Sequence, residues 1–475
     1  MGGKESGSLK IWSSLRIDTP VHRSILSVCI WLCSLTSQAS VPGEGVGVYP
    51  ERQTEVSVAA GPASDGKSAD RGNDDYAPFT VSAVPTLTYG SDEGFGTGGV
   101  GTFYWNDPVV LPYRAALTLN IFVTTRLIQR HRVRLDALRV GGLPLRIFAQ
   151  VGYESTLTQN FCGYGNEVSC SRGQGVRALQ RANVAPDSKA FATGLRKHHQ
   201  MRFVRPYGEV LMRYALRDKP HRVELWAGWR GNLYLPGQVN WDDAGGELRF
   251  EEGAYPHSQW EAYAEKGFSS TFQFGTSLDN RDEEIQPNRG YFIEASIRGN
   301  HPLWGSDWAW FGANISASLF TPLHQGTRSE GADWVLAQRW VLDGISGKAP
   351  TEDIARLGGL TDFIAVGGSD IGRGIREHRY LGKWKTIVQH ELRWSFAEFD
   401  LLSQHLKLGW AGFLDAACLG YDWHDWRGAP LGIVWGAGGG FRLLWNRNFS
   451  VRFDVGASPA EQYQPRIYIR VGNSF

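Results

Sequence analysis

The chain has 475 residues, with 49 Lys and Arg against 48 Asp and Glu and a formal net charge of +1. That balance excludes a broad electrostatic hold on nucleic acid. A mean hydropathy of −0.30, with no apolar run of about 18 residues outside the N-terminus, excludes a bundle of membrane helices. Glycine (58) and tryptophan (19) are abundant and methionine (3) is scarce, a bias that favours short strands over helices.

Arg16, His22 and Arg23 precede an apolar core at residues 25–35 and the small-residue stretch Ser37-Gln38-Ala39-Ser40. Basic, apolar and small in that order is a secretory signal, so residues 1–39 are expected to be removed after Ala39. Cys29 and Cys33 fall inside it, and the bulky Val28 and Leu32 do not suit a lipoprotein cleavage site. Residues 40–77 are rich in Gly, Ser, Ala, Asp and Glu without apolar periodicity, which predicts a disordered leader. One strand-rich domain is expected over residues 78–475.

Gly94-Phe95-Gly96-Thr97-Gly98-Gly99 fits G-x-G-x-x-G, but a dinucleotide site needs a helix next, and residues 100–105 read as another strand. A glycine-rich hairpin is the better reading. Further along, Ala115, Leu117, Leu119, Ile121 and Val123 alternate with Thr118, Asn120 and Thr124. Val133 and Leu135 alternate with Arg132, Arg134 and Asp136 in the same way. Cys162 and Cys170 lie in a polar loop and are expected to form a disulfide in an oxidising compartment, leaving Cys418 single. His198-His199 has no carboxylate or thiol at ligand spacing and reads as solvated loop.

Tyr291, Ile293, Ala295 and Ile297 alternate with Glu294, Ser296 and Arg298, and Val451, Phe453 and Val455 with Ser450, Arg452 and Asp454. In the last strand Ile467, Ile469, Val471 and Phe475 share one face, with Arg466, Arg470 and Ser474 on the other. Tyr468 on the polar face and Asn473 on the apolar face break this pattern.

A soluble sandwich also alternates. Three features favour a membrane barrel: charges in mid-strand, segments of about ten residues or more, and alternating short and long connections. Short turns are expected at 217–221, 284–288, 396–400 and 446–448, and long loops at 158–199, 236–264, 342–383 and 420–430. The expected fold is all-β, a transmembrane antiparallel barrel of roughly sixteen strands. No H-E-x-x-H, G-x-S-x-G or C-x-x-C occurs, so neither an enzyme nor a cofactor is implied.

The segment from Leu357-Gly358-Gly359 to Tyr380-Leu381-Gly382 contains Val366-Gly367-Gly368-Ser369-Asp370-Ile371-Gly372-Arg373-Gly374-Ile375-Arg376. Gln389-His390-Glu391-Leu392-Arg393 and Phe413-Leu414-Asp415-Ala416-Ala417 follow it. With Pro287-Asn288-Arg289-Gly290-Tyr291, the opening Pro85–Ser91 and the terminal Phe475, this order resembles the BamA/TamA superfamily of outer-membrane barrels, also called bacterial surface antigens. The resemblance covers about residues 79 to 475 and implies a Gram-negative outer membrane, contact with lipid and lipopolysaccharide, and work beside the outer-membrane assembly machinery.

It also implies that Arg373-Gly374-Ile375 is the tip of a long outer loop folded into the lumen, with Gly372 at the family's Val and Ile375 at its aromatic. Phe475 would be a sorting signal. Family members carry periplasmic POTRA domains of about 75 residues each; residues 40–78 are too few for one, so a barrel without them is expected, served by a separate periplasmic protein. Alternation independently puts Glu391 (with Gln389 and Arg393) and Asp415 on lumen faces, where a loop arginine would pair with both. Three functions follow: a factor for insertion or translocation of proteins, a passive pore or structural protein, and, last, a barrel hydrolase.

Overall fold

The computed structural model describes residues 78–475 except 111, 166–171, 182, 198–199, 219–220, 238–264, 285, 325–333, 361–363, 365, 402–403, 422–431, 446–448, 473 and 475. The signal peptide, the leader, Cys170, His198-His199 and Phe475 lie outside the described residues.

Sixteen strands are present among them. The first four are β1 (Phe79–Gly90), β2 (Gly94–Trp105), β3 (Ala115–Thr124) and β4 (Gln129–Ala137). Then come β5 (Leu145–Asn160), β6 (Gln200–Arg217), β7 (Arg222–Gly237) and β8 (Gly267–Asp279). They are followed by β9 (Gly290–Asn300), β10 (Ala309–His324), β11 (Trp334–Lys348) and β12 (Trp384–Leu401). The last are β13 (Gln404–Gly420), β14 (Val434–Trp445), β15 (Phe449–Ala457) and β16 (Arg466–Val471). Each pairs antiparallel with its chain neighbours, and β16 returns to β1 to close the barrel.

The period-2 side-chain pattern decides the two faces. In β3, Leu117, Leu119, Ile121 and Val123 point outward and are exposed, while Thr118, Asn120 and Thr124 are buried inside. The same division puts Phe311, Ile315, Phe441 and Phe453 outside and Arg205, Glu209, Glu294 and Arg298 inside. An apolar shell around a charged interior suits lipid outside, and closing the sheet pairs the strand backbones that lipid cannot solvate.

Two expectations need correction. Residues 396–400 are not a turn, because β12 runs on to Leu401. A bulge shifts the register between Ser395 and Ala397, so Phe396 and Phe399 are both exposed, and the broken alternation mimics a turn. The loop from β5 to β6 carries two helices, α1 (Arg172–Arg181) and α2 (Lys189–Lys197).

The second concerns closure: because strand backbones in lipid must be paired, the final strand is expected to seal against Phe79–Tyr89. Among the described residues β1 and β16 share only two register pairs, Tyr89 with Ile469 and Gly90 with Tyr468. β1 and β2, by contrast, share twelve. β16 ends at Val471, Gly472 turns the chain with φ +92°, and Ser474 is buried against Arg452 in the interior.

Candidate functional site

The loop from β11 to β12 fills the interior from one wall to the other. It starts with a short helix, α3 (Thr351–Ala355), whose five residues are all buried. Asp353 accepts hydrogen bonds from Tyr234 Oη (2.5 Å) and Ser269 Oγ (2.8 Å) on β7 and β8. Farther on, the Gly358 N–H donates to Asp343 on β11 at 2.9 Å and the Leu360 N–H to Glu294 on β9 at 3.0 Å. Barrel carboxylates thus satisfy loop amides that would otherwise be buried unpaired.

The tip folds on itself. The Gly367 N–H donates to Ile371 O (2.8 Å), and the Ile375 N–H to Gly372 O (3.0 Å). Val366, Ile371 and Ile375 pack with Val341, Ile387 and Ala417 of β11, β12 and β13. Ile375 is fully buried there.

Arg373 projects from this tip and is 0% exposed. Its Nε and Nη2 donate to the two oxygens of Asp415 at 2.9 Å each, and its own backbone N–H reaches Asp415 Oδ2 at 3.0 Å. Nη1 donates to Glu391 Oε2 at 2.7 Å. The guanidinium lies 3.6 Å from the centroid of the Phe413 ring. A planar fork facing two carboxylates and an aromatic face uses everything that distinguishes arginine from lysine.

Glu391 and Asp415 face each other through β12 and β13, where Glu391 pairs with Phe413 and Gln389 with Asp415. Gln389 bridges Asp415 (3.3 Å) and the carbonyl of Asp370 (2.7 Å). Glu391 also accepts from Arg393 (2.8 Å) and Arg442 (3.3 Å).

The tip seats because the wall beneath it lacks side chains. A Cβ on Gly436 of β14 would stand 2.1 Å from Arg373 O, and one on Gly374, whose φ is +99°, would stand 2.7 Å from the Ala457 backbone. Only glycine permits both approaches.

Asp454 of β15, 3.7 Å from Arg373 Nη1, and Arg442 of β14 belong to the cluster but were not singled out from sequence. Asp454 sits in the alternation of Ser450 and Arg452, so its lumen parity was readable. Tyr468 is buried, and its hydroxyl accepts from the Gly374 N–H at 3.3 Å. Its place on the polar face is a contact between the last strand and the tip.

A second group of charges lies where the seam meets the β1–β2 turn. Arg466 and Arg470 of β16 donate to Asp92 (2.8 Å) and Glu93 (2.5 Å) in the β1–β2 turn. Glu93 also meets Arg130 of β4 at 2.8 Å. Beside them, a small cavity is lined by Asp92, Arg130, Glu154, Glu352, Glu377 and His378. Burial first, and the Glu93 charge second, push the Glu377 carboxyl up to about 7.

A raised acid weakens the fold when it ionises, so Glu377 favours the folded state below the ordinary glutamate range, and that contribution is lost as pH rises towards 7. The unfolding temperature in detergent should therefore fall between pH 5 and 8, and Glu377→Gln should flatten the fall. Parallel profiles for the two proteins would refute this assignment.

Among the described residues no helix is long and apolar enough to cross a membrane, and no group of three His, Cys, Asp or Glu side chains is placed to hold a metal. Cys162 is disulfide-bonded, and Cys418 keeps its thiol outside any disulfide.

A model described as the Omp85 superfamily domain matches residues 101–475. No curated protein matches the chain. Among solved structures, CdiB from Escherichia coli is 12% identical with a TM-score of 0.52, covering 84% of this chain and 63% of that one. BamA from Haemophilus ducreyi lacking POTRA domains 1-3 is 14% identical with a TM-score of 0.49, covering 83% of this chain and 70% of that one. CdiB from Acinetobacter baumannii is 11% identical with a TM-score of 0.45, covering 83% and 59%. The chain thus spans less than two thirds of either CdiB structure, and the likeness to the Escherichia coli protein is one of fold.

Proposed function

The chain belongs to the Omp85 superfamily, and from that premise we propose that it is a non-enzymatic factor in a Gram-negative outer membrane that assists insertion or translocation of other proteins. In this reading the seam between β1 and β16 opens to admit a client polypeptide, delivered by a separate periplasmic protein and handled beside the assembly machinery. Lipid and lipopolysaccharide surround the apolar face, and Arg373, Glu391 and Asp415 hold the loop tip in the lumen.

The observation that carries the reading is the seam. Among the described residues two register pairs close it, whereas every other junction carries six or more. Backbone pairing is the main barrier to parting strands in lipid, so this junction is the one that opens at least cost. A loop packed across the interior speaks against a passive pore.

Locking the seam tests the reading. Tyr89→Cys with Ile469→Cys, in a Cys418→Ala background, places thiols on directly paired residues, close enough for a disulfide. Proteoliposomes carrying the oxidised double variant should lose their acceleration of the folding of a urea-unfolded outer-membrane barrel, and reductant should restore it. The same reductant should leave the Cys418→Ala parent unchanged, since reduction also reaches Cys162. A locked protein as active as the reduced one would overturn the proposal.

A further inference from the structure

The outward face of the barrel is not uniform. On β3 and β4 the large apolar side chains exposed there, from Leu117 to Leu135, are all aliphatic. On β12 to β15 rings prevail, with Trp394, Trp410, Trp435, Phe441 and Phe453 exposed. Most of these rings stand in one row. Trp334 of β11 pairs in register with Trp394, Trp394 with Trp410, Trp410 with Phe441, and Phe441 with Phe453. Phe453 then pairs with Ile469, Ile469 with Tyr89 across the seam, and Tyr89 with Phe95. Trp334 and Trp394 stack with ring centroids 5.3 Å apart, and Trp410 meets Phe441 edge-on at 4.8 Å.

An interfacial girdle of aromatic residues runs level with the membrane, where each ring reaches both lipid and water. This row is not level. Seven pairings link Trp334 to Phe95, and at about 4.8 Å between strands they span about 34 Å. The row follows the hydrogen-bonding direction, so strands tilted by about 40° incline it equally. It then climbs about 22 Å, nearly the whole of an apolar band about 25 Å tall. Accordingly it begins at the first residue of β11 and finishes beside the β1–β2 turn, at the opposite end of the wall.

The middle of the row therefore lies among acyl chains. These solvate aliphatic and aromatic surface alike, so lipid gives no reason to gather rings on one flank. Rings gain over aliphatic groups against another protein wall, through flat packing and ring–ring contact. We propose that this row is a docking surface for the outward wall of a client barrel folding beside the seam. Continuity names the occupant: the row runs through Tyr89 and Ile469, which close the seam, so a wall growing there meets Phe453 and Phe441 next. The outward face of a membrane barrel carries aromatic rings of its own to meet them. That the occupant is a client rests on the function proposed above.

The test places a photoreactive benzoylphenylalanine at Trp410 or at Leu135, in proteoliposomes that fold a urea-unfolded outer-membrane barrel. The two side chains are similarly exposed, at 38% and 40%, and each lies on the fourth strand from the seam, on opposite flanks. Client adducts at Trp410 should exceed those at Leu135 at least tenfold. Combining Trp394→Leu, Trp410→Leu and Phe441→Leu keeps the face apolar, and should slow client folding severalfold while the unfolding temperature in detergent changes little. Equal adduct yields, adducts at Trp410 with lipid or a second copy of the chain alone, or undiminished client folding by the leucine variant overturns the docking surface. Acceleration of client folding without a Trp410 adduct overturns the docking surface but not the function proposed above. Absence of any acceleration overturns both.

Discussion

Arg373→Ala is expected to lower the unfolding temperature in detergent more than any other single change in the loop, and to open the loop to added protease. The guanidinium is fully buried, with three side-chain hydrogen bonds to two carboxylates and Asp454 nearby. Removing it leaves Asp415 with Gln389 and a backbone N–H. Uncompensated charge of this kind costs roughly 3–5 kcal/mol. Arg376, three residues along, is 36% exposed and pairs with Glu461 at 3.1 Å. Arg376→Ala should therefore cost about 1 kcal/mol or less. Equal shifts in the two variants would show that the buried cluster does not hold the loop.

Gly436→Ala is the second large effect, and its sign is the test. Alanine in place of glycine ordinarily stabilises a strand, because it restricts the unfolded chain. At Gly436 the new Cβ would lie 2.1 Å from the Arg373 carbonyl, so strand or tip must shift. Overpacking of this kind costs about 1–3 kcal/mol. Gly412, where a Cβ would meet nothing within 4 Å, is the control, and alanine there should be neutral or stabilising. Since Gly436→Ala and Arg373→Ala both unseat one tip, their combined loss should fall short of the sum of the single losses. Full additivity would separate the two sites and defeat the account given of the tip.

The architecture was legible because alternation is a local property. Successive strand side chains point to opposite faces whatever the rest of the chain does. The series Leu117, Leu119, Ile121 and Val123, and the inward series Gln389, Glu391 and Arg393, each follow from ten residues at a time. The long charged strands, the sixteen-strand closure and the alternation of short and long connections are extensions of the same reading. Where it failed, the period itself was broken: the bulge after Ser395 puts Phe396 and Phe399 on one face, and no local pattern separates that from a turn.

What lies opposite what is another kind of fact. Glu391, Asp415, Arg442 and Asp454 each carry a lumen parity in sequence, yet many other lumen charges carry it too. Strand order and stagger bring these four around one arginine, and the bare backbone at Gly436 and Gly456 gives the tip room to descend. Tyr468, a misfit in its own strand, becomes intelligible only when Gly374 arrives beside it. The two-pair seam likewise depends on where β16 stops, and that is settled between Gly472, Ser474 and Arg452 rather than by any strand's own pattern. Parity is set by bonded geometry over a few residues, whereas pairing across the barrel is a sum over the whole closed sheet, and so the sequence alone determined the faces while only the tertiary structure decided the partners.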